Sequence, residues 1–178
     1  TFLRLFITII GPGFISMDTI NGDILNFPLG TGAIFHSCNI SGSLENNNIS
    51  KQISHRFPSV SDHNHDTNSS DNLALGGFSS CRVPEGLVIS LFCEHSNRER
   101  NLDYDCLYES SISVVRYLSS LSKPPKVAIP YRFGCGEANG CWEIVLSIFE
   151  AALSSYNGGA HIIINELEWL KNSEAANG

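Results

Sequence analysis

Basic residues are scarce in this chain. Eleven Lys and Arg stand against eighteen Asp and Glu in 178 residues, the formal net charge is -7, and Lys and Arg nowhere cluster. That excludes a nucleic-acid groove and an anionic membrane surface as binding partners. Any anion held here must be held mainly by backbone amides and helix ends. None of the six cysteines stands in a Cys-x-x-Cys pair, and no matching His or Cys spacing supports zinc, so neither a metal nor a cofactor is expected. Cys38 and Cys93 lie in apolar, strand-like surroundings, where a free cysteine acts as a small hydrophobe. Reduced cysteines imply an intracellular compartment, cytoplasmic or nuclear. An apolar run of bilayer length is also missing. The opening "TFLRLFITIIGPGF" is broken by Gly-Pro-Gly and lacks a clear basic n-region and an Ala-x-Ala site, so a signal peptide is open to it but not the favoured reading. Residues 1–16 are expected to be an N-terminal extension or an extra strand ahead of Met17. Three sequons, at Asn39, Asn48 and Asn68, are short enough to arise by chance.

What remains is the composition of one globular domain. Hydrophobic residues make up 42% and charged residues 16%, enough for a sizeable core. No repeat is visible. "TINGDIL" reads as a short strand ending at Gly22-Asp23, and "GAIFHSCN" as a buried strand from Ala33 to Ser37. Ile49, Ile53 and Phe57 form a helical face that Pro58 should stop. Residues 59–72, with "DHNHD" at Asp62 to Asp66, read as an exposed polar loop rather than a metal site. "LALGGFSSCRV" suggests an edge strand with a glycine bulge, and "GLVISLFCE" a central buried strand. Leu107, Ile112, Val115 and Leu118 mark one helical stripe, with Tyr104, Tyr108 and Tyr117 packing around it. "KVAIP" is strand, "WEIVLSIFEAAL" helix, "HIIIN" strand, and "ELEWLK" a final short helix. Strands alternating with helices argue an α/β fold with a largely parallel sheet.

In such sheets ligands bind outside the carboxyl ends of the strands. Asp23, His36, Asn39, Glu94, Pro130 and Asn165 fall at or near those ends. The stretch "IPYRFGCGEANGCWE" places a glycine loop between a buried strand and a helix, where unpaired N–H groups suit an anion.

Four segments in order, "NGDIL", "IFHSCNISG", "ISKQISHRFP" and "IPYRFGCGEANGCWE", resemble a macro domain, from about Asp18 to Asn165. The resemblance implies a three-layer α/β/α sandwich with a mixed, largely parallel central sheet over residues 17–170, and a flexible tail at 171–178. It implies binding of ADP-ribose in a cleft above the sheet. "HSCN" followed by Ser-Gly is most similar to the branch that acts on ADP-ribose 1''-phosphate. Carried over, Asp23 would accept from the adenine amino group beside the Ile24 backbone, and Asn39 would meet the distal ribose. The amides of Gly134, Cys135 and Gly136 would wrap the diphosphate and ribose, flanked by Phe133, and Asn165 would lie near the adenine. The first phosphate-facing loop, glycine-rich in the family, holds Asn46, Asn47 and Asn48 here, followed by Ile49. Glu94 stands near the place where some members carry a lysine nucleophile, and Ala138 where they carry an acid, with Glu137 one position away.

Two functions follow from the resemblance. One is a hydrolase that releases the phosphate of ADP-ribose 1''-phosphate or removes ADP-ribose from a modified group, with His36, Asn39 and Glu137 as catalytic candidates. The other is a reader that binds ADP-ribose or ADP-ribosylated macromolecules without chemistry, or a degenerate domain with weak binding. A monomer is expected. Each residue also has a plainer role open to it: Asp23 as a turn cap, His36 as a satisfied core histidine, Glu137 as a surface glutamate.

Overall fold

The structure is a computed structural model that describes residues 17–27, 32–39, 48–69, 75–96 and 98–164. Six strands form one sheet: β1 Asp18–Asn21, β2 Gly32–Asn39, β3 Phe78–Val83, β4 Gly86–Glu94, β5 Lys126–Pro130 and β6 Ala160–Ile164. Their order is β1-β6-β5-β2-β4-β3. All pairs are parallel except β3 with β4, which closes the edge antiparallel. The helices are α1 Asn48–Arg56, α2 Pro58–Ser69, α3 Tyr104–Ser119 and α4 Trp142–Leu153.

The near-continuous apolar runs of β2 and β4 need cover on both faces, and they have it. Odd-numbered side chains of β2 and β4, among them Phe35, Ile89 and Leu91, join Val127 and Ile129 in a core under α3 and α4. Even-numbered ones, Ile34, Val88 and Phe92, pack with Ile53, Phe57 and Val60 of the α1–α2 layer. The result is the expected three-layer α/β/α sandwich with a mixed, largely parallel sheet.

Three local expectations are corrected. α1 stops at Arg56, ahead of Pro58 as expected, and Pro58 then opens a second helix, α2, because a first-turn proline lacks only an N–H that would be orphaned there anyway. Residues 59–72 are therefore not an exposed loop over the part described, up to Ser69. The sheet side of α2 is held by Val60 and Asn64, both fully buried. On α3 the buried stripe is Leu107, Ser110, Ser111, Val114, Val115 and Leu118, with Ile112 only half buried. The expected glycine bulge of the edge strand is present: ahead of Phe78, Gly76 N–H donates to Phe92 O at 2.8 Å and Phe92 N–H to Gly77 O at 3.0 Å, two residues against one, with Gly76 in the left-handed region at φ 89. β4 is interior but one place in from the β3 edge. The expectations for residues 1–16, "ELEWLK" and 171–178 lie outside the described residues. No helix among the described residues is long and apolar enough to cross a membrane.

Candidate functional site

β2 lies between β5 and β4, with β5 leading into α4 on one face while α1 covers β2 on the other. The sheet therefore has its crevice above the carboxyl ends of β2 and β5, where neighbouring connections leave in opposite directions. Residues 131–141 form one wall. Phe133 and Ala138 of this loop are core residues, and the Phe133 ring meets Phe149 edge-on at 5.1 Å. Phe133 thus anchors the loop instead of facing a ligand. Gly134 takes φ 65, and a Cβ there would stand 2.9 Å from Leu102 Cδ1, while one on Gly140 would stand 2.5 Å from Leu102 Cδ2. Glycine is required at Gly134 by its left-handed φ, and at Gly140 by the backbone, since a Cβ there would also stand 2.8 Å from Gly134 O.

The loop's amides divide into two sets. Phe133 N–H donates to Pro130 O at 3.1 Å, Cys135 N–H to Arg132 O at 2.9 Å, Asn139 N–H to Gly136 O at 2.9 Å and Gly140 N–H to Gly134 O at 2.9 Å. Cys141 N–H donates to Tyr104 Oη at 2.8 Å. The amides of Arg132, Gly134, Gly136, Glu137 and Ala138 donate to no partner among the described residues. This corrects the sequence expectation in one respect: the Cys135 amide is engaged in a turn, so of the three amides expected to wrap the diphosphate those of Gly134 and Gly136 remain without a protein partner, with Glu137 next to them. The Glu137 side chain and Gly136 are exposed. Cys135 itself donates its thiol to Phe133 O at 3.3 Å, and burial pushes the thiol up to about 11. It is a neutral packing group at pH 7.

At the far end of the sheet, past β1, Asp23 is exposed. Its Oδ1 accepts from Leu25 N–H at 2.9 Å and its Oδ2 from the Asn26 side chain at 3.0 Å, capping the 3-10 turn Ile24–Asn26. Each oxygen retains a second lone pair. Ile24 is buried in the α1–α2 core and fixes that turn to the sheet. Asn39 ends β2 and is buried, its Cα in register with Glu94 of β4. Ile49 packs against the same α1–α2 core. Asn48 opens α1; Asn46, Asn47 and Asn165 lie outside the described residues.

His36 is not at the strand end. It sits three residues before it, 1% exposed, on the α1–α2 side. Ser90 Oγ is 2.7 Å from its Nε2, and Ser50 Oγ and Ser37 O are 3.2 and 3.1 Å from its Nδ1. Ser50 donates to Ser37 O at 3.0 Å and Asn64 Nδ2 donates to Ser90 Oγ at 2.9 Å. Ser37 O can only accept, so the proton of a neutral imidazole sits on Nδ1, and Ser90 donates its hydroxyl proton to Nε2. Burial outweighs the Ser37 carbonyl and lowers the ring's pKa to about 4. Both nitrogens face protein groups, so the geometry is that of a satisfied core histidine.

One cluster escaped the sequence reading. His95, just past β4, places Nε2 3.0 Å from Asp103 Oδ2. Asp103 caps α3, its Oδ1 accepting from Cys106 N–H at 3.1 Å. That bond, then the one from His95, holds the Asp103 carboxyl down at about 2. Arg98 approaches the same Oδ2 at 3.7 Å, and Arg100 lies over the Tyr104 ring at 4.2 Å. The loop is locked to the glycine loop by Leu102 N–H, which donates to Ala138 O at 2.9 Å. The available signal was Asp103 just ahead of a helical run, a capping residue. Among the described residues no group of three His, Cys, Asp or Glu could hold a metal ion.

No family model and no curated protein matches the sequence. Solved structures do. The macrodomain of Mycobacterium tuberculosis DarG is similar at TM-score 0.71 and 18% identity, over 84% of this chain and 97% of that one. Thermosipho africanus DarTG in complex with ADP-ribose is similar at TM-score 0.68 and 15% identity, over 84% of this chain and 42% of that one. The Oceanobacillus iheyensis macrodomain with MES bound is similar at TM-score 0.60 and 15% identity, over 86% of this chain and 90% of that one. The chain has the macrodomain fold.

Proposed function

We propose, from the macrodomain fold and the unpaired amides of its glycine loop, that the chain binds ADP-ribose across the carboxyl ends of its strands. We propose further that it hydrolyses the phosphate of ADP-ribose 1''-phosphate, or releases ADP-ribose from a modified group. The observation that carries this reading is the amide division of residues 131–141. A loop pinned by Leu102 and Tyr104 keeps the Gly134, Gly136 and Glu137 amides unpaired over the switch point, where a diphosphate needs donors already in place. A chain with net charge -7 has few other means of holding one. Asp23 then takes the adenine amino group at the β1 end, and Asn39 the distal ribose at the β2 end. The T. africanus structure, named for its complex with ADP-ribose, supports the ligand class. Free cysteines accord with an intracellular site of action.

A reader without chemistry is the second reading, and the His36 geometry favours it over any mechanism that uses His36 as acid or base. Calorimetry with ADP-ribose tests binding. Asp23→Ala should weaken affinity at least tenfold, since a hydrogen bond to a charged group contributes about 1.5–3 kcal/mol. Asp23→Asn, which keeps the turn cap, should weaken it as well. Unchanged affinity in both variants overturns the binding pose. Phosphate release from ADP-ribose 1''-phosphate by the wild type then separates hydrolase from reader.

A further inference from the structure

We infer that His95, oriented by Asp103, is the general base of the proposed phosphate hydrolysis. The inference rests on that reading and adds the group that His36 does not supply. The strand order β1-β6-β5-β2-β4 reads as a ruler laid along the ligand. Asp23 follows β1, the unpaired amides follow β5, Asn39 ends β2, and His95 follows β4. At about 4.8 Å per strand the four steps from β1 to β4 span roughly 19 Å, the reach of an extended nucleotide sugar. Adenine, diphosphate and distal ribose occupy the first stations in order. The next station, where a phosphate on the distal ribose would project, is the end of β4.

The chemistry of that station suits a base. Asp103 Oδ1 already serves the helix cap, so Oδ2 is free to accept the His95 Nε2 proton. That fixes the tautomer and leaves Nδ1 as the lone-pair nitrogen, with no partner among the described residues. Its side chain is 16% exposed, against a ring at His36 that is sealed. A base oriented by a carboxylate on its other ring nitrogen is the arrangement that general-base catalysis uses. Arg98 and Arg100, two of only eleven basic residues in the chain, sit on the same loop, where a doubly charged phosphate would need cations.

Nδ1 takes a proton from a water molecule as the water oxygen bonds to phosphorus. The bond between phosphorus and the ribose oxygen breaks, its electron pair remains on that oxygen, and the proton passes to it. ADP-ribose and inorganic phosphate leave, and the histidine returns to its neutral form. One water is consumed and no electrons change hands.

The test is phosphate release from ADP-ribose 1''-phosphate by the full chain, with ADP-ribose calorimetry and thermal melting on the same samples. His95→Ala should lower kcat by about 10²-fold or more, leave KM and ADP-ribose affinity within a few fold, and recover in part on addition of imidazole. Asp103→Asn keeps a capping side chain and should lower kcat with KM unchanged. Wild-type turnover that persists in a folded His95→Ala protein overturns the role of His95 and leaves the hydrolase reading standing. So does a loss that tracks a fallen melting temperature and that imidazole does not restore. If His95→Ala does not fold, His95→Gln faces the same criteria. Wild-type protein that binds ADP-ribose and releases no phosphate overturns the hydrolase and this role together.

Discussion

The two faces of the sheet are built on different principles. Under α3 and α4 the core is aromatic and aliphatic: Phe149 lies 6.3 Å from Phe35 and 5.1 Å from Phe133, ring to ring. Under α1 and α2 the apolar cluster shares its space with a chain of hydrogen bonds. Ser79 donates to Asn64, Asn64 to Ser90, Ser90 to His36, and His36 meets Ser50. All five side chains are buried. The first face gives stability through area removed from water, which is large but indifferent to orientation. The second gives little net free energy per bond but fails sharply when one partner is lost. The network ties α1 and α2 to β2, β3 and β4, and so fixes the wall opposite the glycine loop. The apolar face carries that loop itself, through Phe133 and Ala138.

The comparison breaks most readily at Phe149. Truncation to Ala removes a fully buried ring and should cost about 3–5 kcal/mol, read as a fall in the urea midpoint. Because Phe149 braces Phe133, ADP-ribose binding should weaken even where the protein remains folded. A cost below about 1 kcal/mol would mean that this face is not the dominant core.

A pH series sharpens the other face. The His36 pKa is lowered from 6.5 to about 4 in the fold, so on acidification the unfolded chain takes up the proton first. Stability is full above about pH 6.5, declines as pH falls towards 4, and levels off below that for this group. The loss amounts to roughly 3 kcal/mol. His36→Asn, measured at pH 7, 5.5 and 4, should flatten that part of the curve. An equally steep decline in His36→Asn assigns the slope to other groups.

Much of this architecture was legible because burial and periodicity coincide. "GAIFHSCN" and "GLVISLFCE" are apolar on both faces and became β2 and β4. The glycine loop was legible because Gly134 and Gly140 answer to backbone geometry and close packing, which only glycine satisfies. The misreadings share one cause, polar residues doing the work of the core. Asn64 is an inward residue of α2 one turn after Val60, and its neighbours look solvated, so the helix read as a loop. Ser110 and Ser111 occupy the buried stripe of α3, which moved the apparent stripe onto Ile112. His95 and Asp103 are eight residues apart, and only the return of their loop joins them. That return is made by backbone bonds, His95 N–H to Asn101 O and Asp103 N–H to Cys93 O, both 2.8 Å, and backbone bonds leave no mark in side-chain pattern.

The smallest effect is also the finest discriminator, a pair of serine-to-alanine substitutions. Ser79 and Ser111 are both buried, at 3% and 0% exposure, one on each side of the sheet. Ser79 donates to Asn64 Oδ1, so Ser79→Ala leaves a buried carbonyl oxygen without its donor and should cost about 1–3 kcal/mol. Ser111 Oγ has no hydrogen-bond partner among the described residues. Ser111→Ala therefore removes an uncompensated hydroxyl from an apolar core and substitutes the best helix former in the middle of α3. It should leave stability unchanged or raise it by about 0.5–1 kcal/mol. Chemical denaturation of the two variants, side by side, gives opposite signs if one face is held by hydrogen bonds and the other by packing. Equal destabilisation of both would show that Ser111 has found a partner, and that the apolar face is less dry than its aromatic packing implies.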